Sequence, residues 1–574
     1  MRFTVRSELK LALLLLFILA VYFPSITHPF SRFDDPFIIE FYGTNNTLSF
    51  LNVISPGAGF YFRPLVNLSY WLDSLLWGLD STFMHLENIV AHLANVFLVF
   101  LIASRLPAVS EIKGLPYFCA LLFGLHPINS ESVNWIAGRT DLFAGVFILC
   151  AVYCLIRAIQ EQSTRFAMVA YFVSFLGILT KETAIMFLPT ALLIAFFWPV
   201  VAADVSRYRT WRTRFLIVPI VISSCFVFFL LLMLYVKGQG NNAITLVLEN
   251  GPTNLITGSI EAFGFYVKKI LLPLPLNMAI VEVDPLYAIA GIISLSLLAV
   301  TYRRCGIPGI FLATSVLFIL PAMIVAATSF TWVPFGERYL YIPSAFAVIG
   351  CLELSHRFMV RWNAVTWYGL FVSIIILMAA TATFQRGMLW GDNLEMLEDI
   401  VAQSPGFGVA RGEYGVLLKL AGRYDEAEKQ FIIASQQQNK QNINRIIHLN
   451  LIGMKIREKS HDEARIILLS EIGNKADGDV ELLKLLNKYD ETMLQETVPL
   501  KKRKKIVADI IETNQSLYIK TKEPFYLYRS GQLALQIGNK QDAANYFRTA
   551  WEKAPADSYY REPARRLAEQ LGAK

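Results

Sequence analysis

The chain has 574 residues, 55% of them hydrophobic and only 17% charged, with a formal net charge of +7. Soluble globular proteins carry roughly 25% charged residues; a mean hydropathy of +0.46 therefore excludes an ordinary soluble enzyme and implies a polytopic membrane protein. The modest positive charge lies largely in short loops between apolar runs, which fits membrane topology better than nucleic-acid binding.

In chain order, Arg2, Arg6 and Lys10 precede an apolar stretch from Leu11 to Phe23. Pro24, His28 and Phe30 follow it where a cleavage site needs small residues, so the stretch reads as an uncleaved first span. Apolar runs of span length recur at 9–26, 86–104, 114–125, 140–156, 166–180, 183–199, 215–235, 285–301, 308–328, 339–355 and 364–383. The expectation is eleven spans. Residues 258–278, with Lys268, Lys269, Pro273 and Pro275, read as a short interfacial or re-entrant helix; as a twelfth span they would reverse the side of the tail.

With a cytoplasmic N-terminus, the inner loops carry Arg105, Lys113, Arg157, Arg165, Arg207, Arg209, Arg212, Arg214, Arg303, Arg304, Arg357 and Arg361. The outer segments are much longer and hold fewer basic residues. The positive-inside rule then places the C-terminal region outside the cytoplasm. All six cysteines (Cys119, Cys150, Cys154, Cys225, Cys305, Cys351) belong to the membrane half, which argues against a disulfide framework or a zinc cluster in the tail.

Polar groups collect on the same outer side. The first outer loop holds Phe33-Asp34-Asp35-Pro36 and then Arg63-Pro64. Adjacent carboxylates near a membrane surface repel, and low dielectric raises at least one pKa, which equips a carboxylate to take a proton near neutral pH. The same pair also reads as a helix cap in a loop. Next come His126-Pro127-Ile128-Asn129-Ser130-Glu131, Asn134-Trp135, Gly138-Arg139 and Asp141, a bare Lys181-Glu182 between apolar runs, and Glu337-Arg338-Tyr339. Charges so closely flanked by apolar sequence are costly unless they pair or line a polar cavity. A cavity holding a carboxylate base and cations is what transfer from a lipid phosphate carrier needs: the cations hold phosphate while the base activates the acceptor. Leu68 to Leu79, with Trp71 and Trp77, reads as an interfacial helix. His85 and His92 stand two turns apart, a spacing compatible with a metal but better suited to packing against another polar helix face.

From about residue 404 the pattern changes to helical hairpins. Ala421-Gly422-Arg423-Tyr424-Asp425-Glu426-Ala427 with Phe431 and Ala434 resembles Ile537-Gly538-Asn539-Lys540-Gln541-Asp542-Ala543 with Phe547, Ala550 and Pro555; a weaker copy runs from Glu458 to Ala464. Small and aromatic residues at these offsets mark tetratricopeptide repeats, which stack into a peptide-binding solenoid. The stretch 480–525, including Lys501 to Lys505, is degenerate, and three or four uneven repeats are expected.

The whole chain resembles the transmembrane and tetratricopeptide repeat-containing (TMTC) family, most specifically over His126-Pro127…Asn134-Trp135…Gly138-Arg139-Thr140-Asp141 and Glu337-Arg338-Tyr339-Leu340-Tyr341-Ile342-Pro343. Its repeat array is short and imperfect beside that pattern. The resemblance implies an all-α, GT-C-like membrane domain over 1–383 with a catalytic first outer loop at 27–85, a linker at 384–403 and an extracytoplasmic repeat domain at 404–574. It implies an inverting glycosyltransferase moving a sugar, mannose or another hexose, from a polyprenyl-phosphate donor to Ser/Thr of an exported polypeptide. The base maps onto Asp34 or Asp35, with Asp34 preferred because Pro36 constrains Asp35. Arg139, Lys181 and Arg338 are the candidates for the donor phosphate; Glu182 and Glu337 would orient them, with Arg63 and His126 in support. No metal or other cofactor is required by this scheme, and the partners are the lipid-linked donor, the polypeptide and membrane lipid. The compact chain fits a bacterial inner membrane with periplasmic repeats, or the endoplasmic reticulum in a eukaryote. Two other readings remain: the same chemistry on a glycolipid or cell-wall polymer, and a non-enzymatic scaffold anchored by its spans.

Overall fold

The computed structural model describes residues 5–43, 49–55, 62–106, 114–198, 239–329, 331–361, 365–437, 447, 449–454, 461–473, 480–495 and 499–572. Among these residues all regular structure is helical. The expected 215–235 span, the arginines from 207 to 214 and Lys113 lie outside the described residues, as does the start of the weak repeat copy at 458. The chain divides into two units, Met1–Phe407 and Gly408–Lys574.

In the first unit, α1 (Val5–Tyr22) leads through a 3-10 turn into a loop and α2 (Asp35–Gly43). Next come α3 (Pro64–Leu76), α4 (Ser81–Ser104), α5 (Leu115–Gly124), α6 (Arg139–Glu161), α7 (Thr164–Thr180) and α8 (Phe187–Phe197). Beyond the undescribed stretch stand α9 (Gln239–Leu271), α10 (Tyr287–Cys305), α11 (Ile307–Thr328), α12 (Tyr341–Arg361), α13 (Val365–Leu389) and α14 (Asn393–Gln403). Among the described residues, five helical segments are long and apolar enough to cross a membrane: Ser7–Thr27, Ser81–Ser104, Ile136–Glu161, Ile307–Thr328 and Trp367–Leu389. Four more apolar helices, among them Leu115–Gly124 and Thr164–Thr180, are shorter.

The outward faces agree with a lipid surround. On α10, Ile289, Ile292, Ile293 and Leu297 are exposed, and on α13 so are Leu370, Phe371, Ile374, Leu377 and Met378. Contiguous exposed apolar stripes of this size are rare on water-facing monomers. The interior stripe of α4 is instead polar: His85, Asn88, His92 and Asn95 are all buried. Asn88 donates to the Trp135 carbonyl (2.9 Å) and Asn95 to the Leu142 carbonyl (2.9 Å), while both ring nitrogens of His92 are engaged, by the Tyr341 hydroxyl (2.8 Å) and the Gly124 carbonyl (2.9 Å). The packing role expected for this face, rather than a metal, therefore accounts for His92.

α3 is amphipathic in an inverted sense. Asn67, Tyr70 and Asp73 point inward, whereas Leu72, Leu75 and Leu76 are exposed. That is the arrangement of a helix with its apolar face in lipid and its polar face on protein. Two segments differ from expectation. The helix expected near 258–278 is the second half of a 33-residue helix kinked at Gly251, and it ends at Leu271, where Pro273 and Pro275 prevent continuation. Residues 384–403 are not an open linker: α13 runs to Leu389, and Asp392 caps α14 by accepting from the backbone N–H groups of Leu394 (2.7 Å) and Glu395 (3.2 Å). Met396, Leu397, Ile400 and Val401 form the buried stripe of α14, at the i, i+1, i+4, i+5 spacing of one helix face.

The second unit contains α15 (Gly408–Leu420), α16 (Tyr424–Ser435), α17 (His461–Gly473), α18 (Val480–Gln495), α19 (Leu500–Thr521), α20 (Phe525–Gln536), α21 (Lys540–Lys553) and α22 (Arg561–Gln570). The pairs α15–α16 and α20–α21 are built alike. Each turns on a left-handed glycine, Gly422 (φ 77°) or Gly538 (φ 84°), and each closes with a 2.9 Å backbone bond, Arg423 N–H to Leu418 O or Asn539 N–H to Ala534 O. Ala427, Phe431 and Ala434 are fully buried, as are Ala543, Phe547 and Ala550. In both pairs the ring lies flat on a glycine of the partner helix: a Cβ on Gly415 would stand 2.8 Å from Phe431, and one on Gly531 would stand 2.7 Å from Phe547. Glycine is needed there because the helices approach more closely than any side chain permits.

Candidate active site

The loop after α1 turns its two aspartates in different directions. The Asp34 carbonyl accepts the first helical N–H bonds of α2, from Phe37 (3.1 Å) and Ile38 (3.4 Å), so Asp34 and Asp35 straddle the helix start. Successive residues at a helix start project about 100° apart. Asp35 points inward, is 1% exposed, and accepts the Ser31 N–H at 2.7 Å. Asp34 remains accessible. The loop is held by a small core of Ile38, Tyr42, Val66, Tyr70 and Met84, which joins α2 to α3 and α4.

Both carboxyls are raised. Burial lifts Asp35 to about 7, more than its Ser31 hydrogen bond lowers it, and the Asp34 charge adds to the rise. Asp34 is also held above the ordinary aspartate value by desolvation, against the pull of Arg338 and then Arg63. Those two cations come from segments far apart in sequence, and both act on Asp34.

Arg63 and Arg338 each belong to an ion pair, and Lys181 forms a third. Arg63 grips Glu182 with two nitrogens (2.7 and 3.1 Å). Lys181 pairs with Asp141 at 2.5 Å, and Arg338 with Glu131 at 2.7 Å. Glu131 also accepts the Arg338 backbone N–H through its second oxygen (3.0 Å), which locks the turn of residues 337–340 as well as the side chain. Aromatic rings tie the pairs together: Arg338 lies 5.0 Å from the Trp135 ring and 4.9 Å from that of Tyr339, and Lys181 lies 5.7 Å from Tyr339. The loop after α1, the 126–141 run, Lys181-Glu182 and Arg338-Tyr339 are thus linked through these pairs and rings. Glu131 and Asp141, which reasoning from sequence did not rank among the site residues, are the counter-ions; both lie in the 126–141 run, where their carboxylates were the available signal.

The other expected residues stand elsewhere. Arg139 is 0% exposed; it bonds Asp73 at 2.5 Å and Glu87 at 3.0 Å and lies 4.8 Å from the Tyr70 ring, tying α6 to α3 and α4. An enclosed guanidinium with two carboxylates on it is no docking point for a phosphate. Glu337 does not orient Lys181 or Arg338: its carboxylate accepts from Lys269 at 2.5 Å and from the Asn277 N–H at 3.1 Å. His126 uses one ring nitrogen on the Ile128 N–H (3.3 Å) and the other on the Ile270 carbonyl (2.9 Å), bracing α9. Among the described residues no three His, Cys, Asp or Glu side chains gather as metal ligands.

No protein-family model matches the chain. It is similar to the protein O-mannosyl-transferase F38B6.6 of Caenorhabditis elegans, with 21% identity over 387 residues, covering 64% of this chain and 53% of the worm protein. It is also similar to protein O-mannosyl-transferase TMTC1 of Mus musculus (28% over 153 residues, 24% of this chain and 16% of the relative) and of Homo sapiens (28% over 134 residues, 22% and 15%). The chain thus spans about half the length of the worm protein and smaller parts of the other two.

Proposed function

We propose that this chain, a relative of the TMTC protein O-mannosyl-transferases, is an integral-membrane glycosyltransferase that moves a hexose, mannose in the first instance, from a polyprenyl-phosphate carrier to Ser or Thr of an exported polypeptide. The observation that carries this reading is the accessible Asp34 carboxyl, raised in pKa and standing in the field of Arg63 and Arg338. Asp34 takes the proton of the acceptor hydroxyl as that oxygen attacks the anomeric carbon. The bond from that carbon to the phosphate oxygen breaks, the lipid phosphate leaves, and the configuration inverts. Arg63, Lys181 and Arg338 hold the phosphate; their carboxylate partners fix each cation in place beforehand, and the phosphate competes with those carboxylates for N–H groups. Asp35, turned inward, shapes the loop that carries Asp34.

The GT-C-like domain has eleven spans in this reading, with the 126–141 run, Lys181 and Arg338 on the outer face. The matched hairpins around Phe431 and Phe547 support tetratricopeptide repeats that receive the polypeptide on that side of the membrane. A scaffold with a merely anchoring membrane domain has no use for linked ion pairs whose Arg63 and Arg338 act on an accessible carboxyl. Mass spectrometry of exported proteins from cells with and without the chain tests the activity: loss of a hexose from Ser/Thr peptides is expected, and an unchanged glycopeptide profile would refute it. For topology, single cysteines in a cysteine-free background at the exposed positions Lys540 and Arg165 should differ. A membrane-impermeant maleimide added outside should label position 540 and spare 165; the reverse pattern would invert the assignment.

A further inference from the structure

Glu337 and Arg338 are neighbours in a 3-10 turn spanning Glu337–Leu340. Successive side chains of such a turn project about 120° apart, and here they face different partners. Arg338 faces Glu131 and Trp135. Glu337, 2% exposed, faces Lys269 near the C-terminal end of α9. The lysine is itself 3% exposed and also donates to the carbonyls of Pro273 (3.3 Å) and Pro275, so its ammonium is spent on this joint. The segment after α9 is fastened from its other side too: the Asn277 N–H donates to Glu337, its side chain donates to Ser404 Oγ (2.8 Å), and Gln403 donates to the Leu276 carbonyl (2.8 Å). The apolar surround is a separate core that includes Phe263, Tyr266, Ile280, Phe335 and Leu340.

A carboxylate buried beside an arginine of the site is a hazard. Unfastened, it can turn to Arg338 on the next residue, and an arginine bound to it no longer faces the site. Burial lifts the Glu337 carboxyl to about 7 with Lys269 beside it, and the lysine favours its charged form against that burial. We propose that Lys269 is a positioning residue for the donor phosphate: it fastens Glu337 to the 273–277 turn, keeps that carboxylate off Arg338, and thereby holds Arg338 toward Asp34. The inference rests on the assignment of Arg338 to the phosphate.

The test measures the affinity of the purified full-length protein for undecaprenyl phosphate by thermophoresis. Lys269→Met is expected to weaken binding about tenfold, because small displacements of a binding cation are costly. The double variant Lys269→Met/Glu337→Gln should return to within about threefold of wild type, since the glutamine keeps an acceptor for the Asn277 N–H but carries no charge to compete for Arg338. A merely structural role predicts the opposite order, with the double variant no better than the single. Unchanged affinity in Lys269→Met, or a double variant as weak as the single, overturns the proposal. If Lys269→Met does not fold, Lys269→Gln, which keeps donors for the Pro273 and Pro275 carbonyls but drops the charge, takes its place: alone it should lose about tenfold and with Glu337→Gln return to within about threefold, and a double variant as weak as the single overturns the proposal. If the wild-type protein does not bind the probe at all, the donor reading fails and the positioning role with it, whereas binding that is indifferent to Lys269 sinks only the latter.

Discussion

Asp34→Asn should lower sugar transfer in membranes by about 10²–10⁴-fold, the usual worth of a positioned general base, with little effect on unfolding temperature because Asp34 is accessible and asparagine suits a helix start as well as aspartate does. The pH dependence has a definite sign. A base works deprotonated, and desolvation holds this carboxyl above the ordinary aspartate value. Wild-type transfer should therefore rise with pH along a limb displaced upward from that value, and the asparagine variant should lose the limb. Asp35→Asn should behave differently. Its carboxyl binds a proton more tightly folded, at about 7, than unfolded, near the ordinary 3.8. Its contribution to stability is thus fully present below the unfolded value and is lost as pH rises through about 7. The asparagine variant should flatten the stability profile between those limits and keep much of the transfer activity. Transfer that survives in Asp34→Asn and vanishes in Asp35→Asn would exchange the two roles.

The contrast between the aspartates also marks how far sequence reaches. That charges cluster was legible, because Lys181-Glu182 and Glu337-Arg338 interrupt apolar runs too briefly to be free loops; in the structure Arg63 pairs with Glu182, and Arg63 and Arg338 both act on Asp34. The repeat hairpins were legible too, since a left-handed turn glycine and a buried Phe with alanines on either side leave fixed offsets in the chain. Partner choice was not. Adjacent residues such as Glu337 and Arg338 were read as a unit, yet a helical turn sends neighbours to different partners, and the partner of Glu337, Lys269, lies 68 residues away. The same blindness affected Arg139. Its charge beside Asp141 in sequence suggested the site, whereas Asp73, on a helix chosen for its apolar face and tryptophans, is what it meets. Helix α14 was missed for another reason: its buried stripe of Met396, Leu397, Ile400 and Val401 is short and sits among charges, where composition suggests a linker.

Arg139→Ala is the substitution that separates a binding cation from a structural one. Removing one member of a buried ion pair leaves the other charge uncompensated and costs about 3–5 kcal/mol. Here the loss strands Asp73, whose carboxyl burial has already lifted to about 6 despite the arginine, and frees α3 from α6. Unfolding of the purified protein in detergent should therefore begin at a markedly lower temperature. Arg139→Met/Asp73→Leu, which removes the buried pair and keeps the volume while the part-exposed Glu87 retains the Trp77 indole N–H, should recover most of that loss, because well-packed apolar replacements of buried pairs are commonly neutral or better. Affinity for undecaprenyl phosphate, measured below the unfolding temperature, should be near wild type in the double variant. A phosphate ligand would behave in the reverse manner, with stability intact and donor affinity lost in both variants, and that result would restore Arg139 to the site. The distinction matters for the architecture around Asp34. With Arg139 as a tie, α3 is a lipid-facing helix pinned by its polar side to α6, and the loop carrying Asp34 rests on that pinned helix through Tyr42 and Tyr70, whose rings lie 5.7 Å apart.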